Sequence, residues 1–87
     1  MSAPDAAIIE AEILRQTDAR DGSICPSEVA RALAPEAWRP LMGPVRQGAR
    51  RLAEAGRIDI LRKGKPVAPE ALRGVIRLRR KTGTPGA

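Results

Sequence analysis

Apolar residues recur along this chain first at helical spacing and then at strand spacing. On an ideal wheel of about 100° per residue, Ala6, Ile9, Ile13 and Leu14 share one broad face. That pattern predicts a first helix from about Asp5 to Thr17, with Ile8 falling off its apolar face. The polar, Gly-containing stretch Asp18 to Gly22 reads as a turn, and Ser23-Ile24 as a very short strand.

A second helix begins at Pro26. Proline suits the first helical position because its missing N–H has no helical partner there. Glu28 follows in the first turn, where the helix dipole favours an anion. Val29, Ala30 and Leu33 fall on one face, and Ala34-Pro35 ends the helix, because the residue before proline avoids helical geometry. Between Pro35 and Gly43, Glu36 to Met42 reads as one short helical turn with apolar contacts from Trp38, Leu41 and Met42. The third helix has the clearest pattern. Pro44 fits its first turn and Gly56 the left-handed position past its end. Val45, Gly48, Ala49, Leu52 and Ala53 cluster within roughly 80° of one direction. Arg46, Gln47, Arg50, Arg51 and Glu54 take the opposite face.

After Gly56 the period changes to two. Ile58 and Ile60 alternate with Arg57, Asp59 and Leu61, and Ile76 and Leu78 alternate with Val75, Arg77 and Arg79. These read as two strands, each with one buried face. For the residues between them two readings stand: Pro66-Val67 continues the pairing, or 63–74 is a loose loop. Helix, short strand, helix, helix and two strands is the order of a winged helix-turn-helix. The expected fold class is α+β, with three main helices before a small antiparallel sheet and Lys63 to Pro66 as the wing.

The 87 residues suffice for one domain, expected over 1–81, with 82–87 a disordered tail. A chain of this size buries only about 60–65% of its unfolded surface. Its single aromatic residue, Trp38, leaves the core to Ile, Leu, Val and Ala. The apolar run Ala6 to Leu14 is broken by Glu10 and Glu12 and is far short of the roughly 20 residues a membrane span needs. One cysteine forms no internal disulfide, so a cytoplasmic protein is expected. The abundance of Arg and Ala accords with a high-GC bacterial source.

Charge changes the picture most. Residues 1–44 carry four basic and seven acidic groups, net −3, and residues 45–87 carry twelve basic and three acidic, net +9. Such asymmetry suggests either a face that attracts a polyanion or an Arg-rich surface that keeps the protein in solution. A major groove admits one helix, and arginine reads guanine or grips phosphate with a planar fork. Arg46, Gln47, Arg50 and Arg51 stand where such contacts would originate. The competing reading is a solvated face with an internal pair to Glu54. Arg62, Lys63 and Lys65 flank Gly64 and either touch backbone or minor groove or form a charged loop tip, and Arg31 of the second helix would add a phosphate contact. Arg77, Arg79, Arg80 and Lys81 either extend this patch or shield a sheet edge.

Other chemistries recede. The chain has no histidine, so Ser-His-Asp and Cys-His constellations and His-containing metal clusters are excluded. Gly64-Lys65 is no phosphate loop, because Asp59 stands where its first glycine belongs and Pro66 replaces the Ser or Thr. No enzyme, cofactor or small-molecule substrate is expected. Trp38 reads as core in preference to a stacking platform. Cys25, at a helix N-terminus, reads as a small buried cysteine in preference to a redox sensor.

Several segments together resemble a bacterial family known as a domain of unknown function, whose members look like short winged-helix proteins. They are Ser-Ile-Cys-Pro-Ser-Glu-Val-Ala-Arg-Ala-Leu (23–33), Trp-Arg-Pro-Leu-Met (38–42), Val-Arg (45–46), Arg-Leu-Ala-Glu-Ala-Gly-Arg-Ile (51–58), Lys-Gly-Lys-Pro-Val (63–67) and Gly-Val-Ile-Arg-Leu (74–78). The resemblance implies the fold and brings no activity or ligand. The sequence therefore supports two expectations. One is a small DNA-binding regulator with double-stranded DNA on Arg46, Gln47, Arg50, Arg51, Arg62, Lys63, Lys65 and Arg31. The other is a winged-helix protein-interaction module with no nucleic-acid binding; the exposed Ile8 would mark a partner contact or, in a regulator bound to two half-sites, a homodimer contact.

Overall fold

The computed structural model describes residues 4–81. Three helices, α1 (Ala6–Asp18), α2 (Pro26–Leu33) and α3 (Met42–Glu54), precede three strands, β1 (Ile58–Arg62), β2 (Lys65–Val67) and β3 (Arg77–Arg80). Single 3₁₀ turns at Arg39–Leu41 and Pro69–Ala71 complete the path. The sheet is antiparallel in the order β2-β1-β3, and Ile24 adds a bridge to Leu78 at its outer edge. This is an α+β topology consistent with a winged helix.

Local chemistry sets the helix boundaries. Asp5 caps α1, its carboxylate accepting the Ile8 N–H at 3.0 Å. At α2 the Glu28 carboxylate turns back to accept the Cys25 N–H at 2.9 Å, which satisfies an orphan donor ahead of Pro26. The end of α3 is a Schellman motif. Gly56 sits at φ 77°, its N–H donates to Ala53, and the Arg57 N–H donates to Leu52. α3 starts two residues before Pro44, because positions in a first helical turn need no internal donor and the proline fits at the third. The helical turn expected over 36–42 narrows accordingly to Arg39–Leu41.

The core gathers Ile9 and Ile13 of α1, Val29 and Ala30 of α2, Val45, Ala49 and Leu52 of α3, and Ile58, Ile60, Ile76 and Leu78. α1 and α3 approach closely at Gly48, where an added Cβ would lie 3.0 Å from Ile9 Cγ2. Thr17, the buried polar residue, donates its hydroxyl to the Ile13 carbonyl at 2.9 Å. Glu12 accepts from Arg15 and from Gln16, and Gln16 also donates to the Glu28 carbonyl, tying α1 to α2. The hydrogen bond from Arg15 holds the Glu12 carboxyl below its ordinary range, against the opposing effect of burial.

Of the two readings for the segment after β1, the structure takes the first. Pro66-Val67 continues the pairing, with Arg62 opposite Lys65 and Ile60 opposite Val67. Lys63 and Gly64 alone form the turn, with φ 53° and 81°. Positive φ at both central residues is the type I′ signature, whose twist matches the flanking strands. Leu61 differs from the alternating pattern, being 5% exposed. Its register partners Pro66 and Arg77 lie on its own sheet face and cover it from both sides. Ile8 is half-exposed, as its wheel position requires, and Val75 is 85% exposed. The expected tail, 82–87, lies outside the described residues.

Candidate nucleic-acid interface

The outer ridge of α3 is formed by Gly43, Gln47, Arg50 and Glu54, all exposed and spaced four and three apart. Gln47 makes no side-chain hydrogen bond to other described residues, while Arg50 pairs with Glu54 at 3.1 Å. The other two candidates on α3 lie on its flanks. Arg51 leans toward α1 and pairs with Glu10. Arg46, half-buried, leans the other way and donates to the Gly74 carbonyl at 3.1 Å. The four side chains thus divide into an outward pair and two braces.

The β1–β2 hairpin carries the next group. Lys63 and Lys65 are exposed and have no carboxylate within ion-pair distance among the described residues. Arg62 is half-buried and donates to the carbonyls of Ala71 and Arg73 at 3.2 and 3.4 Å, so it fastens the hairpin to the following loop. Arg31 stands apart from both groups, its guanidinium 4.3 Å from the Trp38 ring centroid. Trp38 is half-buried and packs on the core while one part of its ring meets arginine.

Between the hairpin tip and the strand-entry loop lies an open groove of about 460 Å³, lined by Leu61, Arg62, Lys63, Gly64, Val75 and Arg77. Leu61 and Val75 supply apolar floor, three cations supply the rim, and no carboxylate lines it. Arg77 is fixed in place by donating to the Ser23 hydroxyl at 2.6 Å and the Ser23 carbonyl at 2.9 Å. The sequence pattern places Val75 and Arg77 only as outward strand positions. Their meeting with Leu61 depends on strand register and on a contact to Ser23 across 54 residues, which no local pattern encodes.

The ion pairs sort the charge further. Glu10, Glu12, Asp21, Glu28, Glu54 and Asp59 neutralise Arg15, Arg20, Arg50, Arg51, Arg79, Arg80 and Lys81. Most of these pairs lie on α1, at the start of α2 or at the far end of β3. The hairpin from Ile60 to Val67 contains no acid at all. An uncompensated positive field therefore surrounds the hairpin, whose first strand contacts α3. Among the described residues, no group of three or more His, Cys, Asp or Glu is placed to hold a metal ion, and no helix is long and apolar enough to cross a membrane.

Helices and a three-stranded sheet in this order, with a basic hairpin beside the third helix, define an α+β protein consistent with a winged helix. The chain belongs to the family described as Protein of unknown function (DUF3253), whose model matches residues 6–81. No curated protein matches it in sequence.

Proposed function

We propose that this chain is a DNA-binding winged-helix protein and not an enzyme. In this reading α3 lies in the major groove and the β1–β2 hairpin is the wing. The observation that carries it is the outward Gln47-Arg50 ridge of α3, together with a hairpin of three cations and no acid whose first strand contacts α3. Gln47 is suited to adenine and Arg50 to guanine or phosphate. The groove beside the hairpin suits a sugar–phosphate strand, with Leu61 and Val75 against deoxyribose and Arg62, Lys63 and Arg77 around a phosphate. Arg46 and Arg51 hold the ridge in place from its two sides and reach the backbone only by exchanging their present partners.

A second reading, a protein-interaction module that binds no nucleic acid, is favoured by the exposed apolar side chains of Ile8 and Val75. One experiment separates the two. Labelled random-sequence duplex is titrated with the protein at about 50 and 200 mM salt, and anisotropy is read. Binding that weakens at least tenfold over this range, and weakens further in Gln47→Ala/Arg50→Ala, is the expected result. No binding at the lower salt overturns the DNA reading.

A further inference from the structure

The indole of Trp38 holds two guanidinium groups, Arg31 at 4.3 Å and Arg39 at 4.6 Å from its centroid. Both distances lie inside the range of about 6 Å over which a ring quadrupole attracts a cation. Two like charges gathered near one ring repel each other, and a negative group beside them would offset that repulsion.

Neither arginine has found such a group within the chain. Among the described residues neither donates a side-chain hydrogen bond, and neither forms an ion pair, whereas seven other cations do. Glu36 lies two residues from Trp38 and pairs with neither. A guanidinium attracted to a ring through its π face keeps its in-plane N–H fork free, and that fork matches phosphate oxygens bidentately. Both side chains are exposed, so the fork is open to a partner.

The position matters as much as the chemistry. Arg31 belongs to the last turn of α2, and Arg39 opens the 3₁₀ turn that runs directly into α3. The pair therefore stands at the junction of the two helices, next to the positive end of the α3 dipole. We infer that Arg31, Trp38 and Arg39 form a phosphate clamp at the α2–α3 junction, which seats one phosphate group. As a site on nucleic acid it rests on the DNA reading above, where it takes a backbone phosphate on the α2 side of the duplex. Arg39 and Trp38 then join the interface, and the ring's work is to hold two forks ready.

The chain reports on this site by itself, because Trp38 is its single aromatic residue and the source of its intrinsic emission. The full chain is titrated with duplex, and separately with inorganic phosphate against chloride at constant ionic strength, while Trp38 emission is followed. Anisotropy of labelled duplex is read in parallel. The expected result is a saturating emission change that tracks duplex binding. In Arg31→Gln/Arg39→Gln this change is lost, and the slope of log K against log salt falls by about 1, one phosphate contact. Far-UV circular dichroism and a melt unchanged from the parent show that the double variant is folded. Duplex binding with silent Trp38 emission, and with an unchanged slope in the variant, overturns the clamp and leaves the α3 reading intact. An emission change with inorganic phosphate but no duplex binding overturns the DNA reading and keeps the clamp as a site for free phosphate.

Discussion

Lys63 occupies a left-handed backbone position at φ 53°, next to Gly64 at 81°. Glycine, asparagine and aspartate tolerate that conformation, and other side chains pay roughly 1–2 kcal/mol for it. A type I′ turn normally places Asn or Gly there. A lysine retained at such a point is a strained residue with an exposed charge, and strain of this kind collects at functional positions. Lys63→Asn is expected to stabilise the fold by up to about 1 kcal/mol, read as a higher melting temperature, and at the same time to weaken duplex binding. Stabilisation without loss of binding would remove Lys63 from the interface. At this scale the sequence was legible where chemistry is local. Pro26, Glu28 and Gly56 announce their places at helix ends by type and position. Arg51 and Arg77 do not, because their partners Glu10 and Ser23 lie 41 and 54 residues away.

Helix α3 is both the best-patterned element and the one the proposed interface depends on. Its inner face is small because α1 lies close against it at Gly48, where a Cβ would meet Ile9 Cγ2 at 3.0 Å and Ile13 Cδ1 at 3.4 Å. Ile9 and Ile13 are fully enclosed, so neither has room to yield. Gly48→Val is therefore expected to destabilise by about 1–3 kcal/mol through overpacking. Urea unfolding should show a lower midpoint with an unchanged slope, and an unchanged midpoint would mean that the helices slide apart freely. The wheel placed Gly48 on the buried face from sequence alone, and it separated the arginines from the core. It could not divide those arginines among the outward ridge, the α1 flank and the flank toward the loop before β3, because that division depends on what packs beside the helix. The hairpin was half legible for a related reason. Gly64 marked a turn, but the pairing of Pro66-Val67 rests on cross-strand contacts, as does the burial of Leu61.

Across the whole molecule, charge asymmetry was visible in the sequence as −3 against +9, and the structure explains how it becomes a surface. Carboxylates from the acidic half reach over to Arg51 and Arg80, while Asp59 holds Arg79 and Lys81. What remains uncompensated stands around the hairpin, the groove and the α2–α3 junction. One carboxylate intrudes on the proposed contact surface: Glu54, which holds Arg50 at 3.1 Å on the outer ridge. An exposed pair four residues apart in a helix contributes only about 0.3–0.5 kcal/mol, so its loss should scarcely alter stability. Its loss should matter far more to a polyanion. Glu54→Gln removes a negative charge from the contact surface, raises the net charge from +6 to +7, and frees the Arg50 fork. Duplex affinity at about 50 mM salt is then expected to rise several-fold, with a steeper salt dependence because one more cation is free to displace counterions. If the ridge serves a protein partner instead, neither the parent nor the variant binds duplex at that salt, and the two readings part on a single exposed residue.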